Sequence, residues 1–284
     1  MRAPRPRALG FLSARAGETA APRVGDGRTS SRALHSFGRP AARDTRSRRA
    51  TRECLVALAV VDAMLDDAKA SRDAIAGERT ALLYTTAACY AASNRSFIEG
   101  GGGIHFAYTA PAVVPAEVAI EFGVTGPYAI FLGGPPATLR AIWQAALLLE
   151  SGECDRALVL AVEIFEECED LFARESRLVG RPLVEAAACL WLEPGQGRLV
   201  YESSRADGRG TRAPRADDGE MLGCAPLAAL DRWRRGGAKA PLELCGAWRG
   251  ERARLVWDQN PPSNRAVERR RGESVSELHG RCGR

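Results

Sequence analysis

Lysine is almost missing from this chain. Lys69 and Lys239 are the only two, so arginine carries nearly all the positive charge. With Ala and Gly abundant, that bias reads as a GC-rich coding sequence rather than as selection for phosphate contacts. Histidine is equally scarce, and His35, His105 and His279 are too scattered to form a metal site. No C-x-x-C pair occurs among the eight cysteines, and their spacing suggests no disulfide framework. Most lie in apolar segments, where a free thiol acts as a small hydrophobe. A reducing cytoplasm, no structural zinc and no cofactor are therefore expected. No apolar run reaches the length needed to span a bilayer, so no membrane span is expected. The glycines of residues 100–103 lack the context of a phosphate-binding loop and read as a floppy connection. No internal repeat of fixed period is present.

The net charge is +5, and the excess sits in the tails. Residues 1–52 hold thirteen arginines against Glu18, Asp26 and Asp44. A solvated basic tail is the expectation, not a nucleic-acid partner. The segment resembles an organellar transit peptide as much as an extension or a mis-set start codon. Residues 1–47 are expected to form a disordered N-terminal extension, because apolar periodicity is weak there and Gly, Pro, Ser and Arg dominate.

From residue 48 the pattern sharpens. Cys54, Leu55, Leu58, Val61, Met64 and Leu65 recur at helical spacing over residues 51–70. Residues 80–86 form a short apolar run, read as a buried strand. Residues 91–99 and 115–122 read as helices, the second with Pro115 in its first turn and Gly123 at its end. Residues 128–132 are a strand and 135–149 a helix striped with Leu139, Ile142, Trp143, Ala146 and Leu149. Another strand covers 156–162, an acidic helix 165–174, and two strands, 185–192 and 199–203, flank a Pro194-Gly195 turn. Apolar strands alternating with helices imply an α/β fold with a mainly parallel sheet covered by helices. Residues 48–203 form the expected domain, 204–220 a linker, 221–257 a short helix and hairpin around Arg249-Gly250, and 258–284 a disordered tail.

Several pieces of residues 40–203 occur in an order that carries a family resemblance. Gly77-Glu78-Arg79-Thr80-Ala81-Leu82-Leu83 follows the first helix. Pro115-Ala116-Glu117-Val118-Ala119-Ile120-Glu121-Phe122-Gly123 precedes Gly126-Pro127. Glu150-Ser151-Gly152-Glu153-Cys154-Asp155-Arg156-Ala157-Leu158-Val159-Leu160-Ala161-Val162-Glu163 closes the set. Together these resemble the N-terminal half of β-ketoacyl synthases, condensing enzymes of the thiolase-like fold. The resemblance implies a thiolase-like fold with a shortened C-terminal part. It also implies a sharp elbow that presents a nucleophilic cysteine at a helix N-terminus, where the helix lowers its pKa and backbone N–H groups hold the oxyanion. Counted from Gly126-Pro127, that position is Pro135, preceded by Gly133 and Gly134. Proline fits helix position N1 but attacks nothing. The two histidine motifs that the resemblance calls for, His-Gly-Thr and Gly-His, are missing as well.

Other candidate sites are weaker. Cys89, in a run of small residues, is the alternative nucleophile, with His105 sixteen residues on as a conceivable base. Its simpler reading is a small residue packed after a strand end. Glu163, Glu166, Glu167, Glu169 and Asp170 form an acidic cluster that reads as a solvated helix face. Three functions are in play. One is a ketosynthase-like protein without condensing activity, resembling a chain-length factor. It would partner an active ketosynthase or an acyl carrier protein, as a homo- or heterodimer, in fatty acid or polyketide biosynthesis. Another is an acyltransferase using Cys89. The last is a truncated, non-functional fragment.

Overall fold

The computed structural model of the protein describes residues 1–14, 24–25, 28–29, 34–41, 50–88, 91–100, 106, 108–164, 182–205, 219–237 and 241–259. In chain order these give β1 (Arg2–Ser13), β2 (Val24–Gly25), β3 (Arg28–Thr29), β4 (Leu34–His35), α1 (Arg52–Ala68), β5 (Thr80–Thr86), α2 (Ala91–Ile98), α3 (Val113–Phe122), β6 (Tyr128–Leu132), α4 (Pro135–Glu150), β7 (Arg156–Glu163), β8 (Leu183–Val184), β9 (Ala186–Arg205), α5 (Ala225–Arg235), β10 (Leu242–Trp248) and β11 (Glu251–Asp258). A 3₁₀ turn, Leu222–Cys224, leads into α5.

One seven-stranded sheet organises the molecule, in the order β10-β11-β9-β7-β5-β6, with β1 also paired to β9. β5 pairs in parallel with β6 and β7, while β9 runs antiparallel to β7, β1 and β11. The expected parallel sheet is thus confined to β5, β6 and β7. The reversed central β9 makes the whole mixed, because its polarity sets every ladder beside it. β5 and β7 are buried along almost their entire length, as strands covered on both faces must be. On one face, Cys54, Leu55, Leu58, Val61 and Met64 of α1 pack with Leu82, Tyr84, Leu158 and Leu160. On the other, Leu139, Ile142 and Leu149 of α4 pack with Leu83, Val159, Leu190 and Leu255.

The N-terminus overturns the expectation of disorder, at least over β1. Residues 2–13 pair with β9 from Arg2↔Arg198 to Ser13↔Ala186. The ladder shifts register between Ala3 and Arg5 and between Pro6 and Ala8, so Pro4 falls in one irregularity and Pro6 borders the other. Ala3, Ala8 and Leu9 are buried while Arg2, Arg5 and Arg7 face outward. The remainder of residues 1–47 is mostly outside the described residues.

β9 corrects a second expectation. Residues 185–192 and 199–203 are not two strands about a turn. Pro194 and Gly195 ride inside one long bent strand, opposite the register shift in β1. A Cβ on Gly195 would collide with the Ala3 carbonyl oxygen, so the strand passes there only without a side chain. The long strand carries the sheet from its centre out to the hairpin of β10 and β11, joined by Arg249 and Gly250 in left-handed conformations. Residues before 48 and after 203 therefore share the sheet and the core of the segment between them.

A buried ion pair fastens the start of α1 to the junction of β8 and β9. Arg52 reaches Glu185 through two hydrogen bonds, Nη1 to Oε2 at 2.6 Å and Nη2 to Oε1 at 2.8 Å. The Phe37 N–H donates to the same Oε2 at 2.8 Å. The acidic helix at 165–174, most of the linker and the tail from residue 260 lie outside the described residues. No helix among the described residues is long and apolar enough to cross a membrane.

Candidate functional site

The glycine elbow sits where its sequence places it. β6 ends at Leu132, Gly133 takes a left-handed φ of 150°, Gly134 is the N-cap, and α4 starts at Pro135. Gly133 donates its N–H to the Thr86 carbonyl at 2.9 Å, which ties the elbow to the end of β5. Pro135 at the first helical position suits the backbone, having no N–H to leave unpaired and a φ preset for the helix.

β10 lies across this elbow. A Cβ on Gly246 would come within 2.6 Å of the Pro135 Cβ, and one on Gly134 within 2.7 Å of the Trp248 ring. Both glycines are required by close approach, well inside ordinary van der Waals contact. Trp248 also packs, with Ala87 and Ala91, against a small cluster of Leu34, Ala88, Leu183 and Leu222. The Arg249 guanidinium stands 5.6 Å from the indole centroid, within cation–π range.

Beneath the elbow runs a buried polar chain. Thr138, one turn into α4, shares a hydrogen bond with Thr85 at 3.0 Å and donates to the Gly223 carbonyl at 2.6 Å. Glu163, the last residue of β7, is fully buried. Its Oε1 accepts the N–H groups of Ala87 and Gly223, each at 2.8 Å, and its Oε2 accepts that of Ala88 at 3.0 Å and the Thr86 hydroxyl at 3.3 Å. One carboxyl thereby joins the end of β5, the end of β7 and the 3₁₀ turn before α5. Burial pushes its pKa from an ordinary 4.5 up to about 8, against the opposing pull of those donors. Glu163 is thus no part of a solvated acidic helix face; it is a strand-end residue turned inward. Glu166, Glu167, Glu169 and Asp170 lie outside the described residues, as do Cys89 and His105.

The thiols among the described residues are not activated. Cys54, Cys154, Cys189 and Cys224 are free and buried, and Cys245 is free and exposed. Burial pushes the Cys54 thiol up to about 12 and holds Cys189 and Cys224 well above the usual range. His35 lies on β4, paired with β8. No group of side chains fit to hold a metal occurs among the described residues.

A profile of the β-ketoacyl synthase N-terminal domain matches residues 18–176, more than half of the chain. The protein belongs to the β-ketoacyl synthase family. No curated protein sequence matches it. Among solved structures it is similar to the ishigamide ketosynthase/chain length factor, at 16% identity and a TM-score of 0.72, over 90% of this chain and 99% of the other. It is also similar to a β-ketoacyl synthase from Burkholderia phymatum STM815, at 15% identity and a TM-score of 0.68, over 92% and 100%. A ketosynthase in complex with its chain length factor, from Xenorhabdus doucetiae, matches at 10% identity and a TM-score of 0.57, over 90% and 100%. At these identities the likeness establishes the thiolase-like fold that the sequence led one to expect.

The structure brings Gly133, Gly134 and Pro135 together with three groups that sequence reasoning did not join to them: Glu163, Gly223 and Trp248. The paired glycines Gly133-Gly134 were a sequence signal for the elbow. Nothing comparable marked Trp248 as its cover.

Proposed function

We propose that this β-ketoacyl synthase family member performs no condensation and serves as the partner subunit of an active synthase, in the manner of a chain-length factor, in polyketide or fatty acid biosynthesis. The observation that carries this reading is the elbow. Its helix begins at a proline covered by the Gly246 backbone, and the N–H groups of Ala87, Ala88 and Gly223 are already committed to Glu163. Pro135 offers neither a nucleophile nor an N–H at that position, which supports a reading without thioester chemistry at the elbow.

A means of pairing is present. β6 is an end strand of the sheet, bonded among the described strands only to β5. Its sequence, Tyr-Ala-Ile-Phe-Leu, carries no charge, and Tyr128 and Leu132 are about half exposed. An uncharged apolar strand with one free edge is a surface that another sheet can extend. The acyl carrier protein of such a system is the second partner expected on this reading.

Co-expression with an intact ketosynthase from the same gene neighbourhood, followed by native mass spectrometry, tests the proposal. A stable heterodimer is expected, and L132K should abolish it while leaving the thermal midpoint of the isolated protein unchanged. Exclusive monomer in the presence of the ketosynthase, or a heterodimer indifferent to L132K, overturns it.

A further inference from the structure

We propose that Trp248 is a plug the chain supplies to itself. Its indole fills a preformed apolar site over the glycine elbow, a site shaped for a flat apolar group, and so closes the elbow to any external ligand of that kind. The ring lies against two consecutive residues without side chains. A Cβ at Gly134 would stand 2.7–2.9 Å from three of its ring atoms, and one at Gly133 3.8 Å from Cδ1. The other surface it meets is made of small and aliphatic residues, the cluster of Leu34, Ala88, Leu183 and Leu222 with Ala87 and Ala91 beside it.

The indole is carried by an element built to hold it there. Trp248 is the last residue of β10, immediately before the left-handed pair Arg249 and Gly250, and its ladder partner is Glu251. Gly246, two residues earlier on the same face of the strand, presses its bare backbone onto Pro135. These contacts fix how close the strand comes, and that closeness seats the ring on Gly134. The occupant of the site is thus a side chain of this protein, delivered by a hairpin whose other strand is anchored on β9 from Glu251↔Arg205 to Asp258↔Arg198. The inference concerns the isolated chain and stands apart from whether a synthase pairs with β6.

Removing the ring should leave an apolar hollow bounded by the elbow and the small-residue cluster. Hollows of that character stay dry and accept small aromatic molecules. Calorimetric titration with indole, on the full chain and on W248A, is the test. W248A is expected to bind indole at least tenfold more tightly than the wild type, with a thermal midpoint that rises as indole is added, while the wild-type midpoint stays fixed. Folded W248A that takes up no indole, or wild type that binds it equally well, overturns the proposal. A second variant covers the case in which W248A does not fold. G134A places a methyl group where the ring now lies, so in protein labelled with 5-fluorotryptophan the Trp248 fluorine resonance, assigned by its loss in W248F, should move to the position of a solvent-exposed indole. An unmoved resonance refutes the contact on which the plug depends.

Discussion

Replacing Glu163 by glutamine tests the buried carboxyl that knots together the ends of β5 and β7 and the turn before α5. In the folded protein its pKa is raised from 4.5 to about 8. A raised acid pKa means that the native state binds the proton more tightly than the unfolded chain does. Stability from this group is therefore complete below about pH 4.5 and declines as the pH climbs towards 8. A span of about 3.5 pH units at ~1.4 kcal/mol each sets an upper bound of about 5 kcal/mol on the decline. Cys224 is the titratable neighbour that faces Glu163 from the 3₁₀ turn, and it stays neutral throughout this range because burial holds its pKa well above normal. E163Q removes the titration. Its amide oxygen can still accept from Ala87 and Gly223, but its NH₂ group then confronts the Ala88 N–H, leaving a buried donor unpaired at a cost of about 1–3 kcal/mol. In urea denaturation from pH 5 to 8.5, E163Q should be the less stable protein at pH 5, and its deficit should shrink or reverse by pH 8.5. A wild-type stability that holds level or rises with pH relative to E163Q would refute the argument that burial outweighs the three N–H donors.

Three further predictions follow from separate features. R52A strips the counter-charge from Glu185 inside the protein and should cost about 3–5 kcal/mol in chemical denaturation, far more than removal of the half-exposed Arg79 from its Asp155 pair. Iodoacetamide treatment of native protein at pH 8, read by peptide mapping, should alkylate Cys245 while Cys54, Cys189 and Cys224 stay unmodified until denaturant is added; early labelling of any of those three contradicts their burial. P135C should gain no thiol reactivity above that of the buried cysteines, since β10 covers the position; rapid labelling of Cys at 135 by an acyl-thioester probe would show that the elbow is open.

The elbow was legible because its requirements are local. A Gly-Gly turn followed by proline and an apolar helix stripe announces a strand–turn–helix within a dozen residues. The helix α1 and the strands β5 and β7 were legible for the same reason, their apolar period being unbroken. β1 was not, because Pro4, Pro6 and three arginines interrupt the alternation, and its ladder with β9 is broken by two register shifts. Pro194-Gly195 misled in the complementary way, a turn signal used as a bend in a strand. Glu163 was grouped with its acidic neighbours because charge alone does not reveal which residue closes a strand. What sets it apart is the convergence of N–H groups from residues 87, 88 and 223, far apart in the chain. Trp248 over Gly134 is a contact of the same distant kind.

The contacts at the elbow reinforce one another. A proline at the start of α4 in an otherwise open elbow would leave a pocket above it. Here Gly246 approaches Pro135 so closely that no side chain fits at 246, Trp248 sits on Gly134, and the N–H groups at the end of β5 are bound by an internal carboxyl. Each of these contacts consolidates packing around α4, whose Leu139, Ile142 and Leu149 belong to the central core. Filling the elbow with protein atoms recovers dispersion contacts, so packing density favours the closed arrangement. Among the described strands β6 pairs only with β5, and an uncharged edge strand is a standing aggregation hazard unless something covers it. On the function proposed above, a covered elbow together with an uncovered end strand suits association rather than turnover.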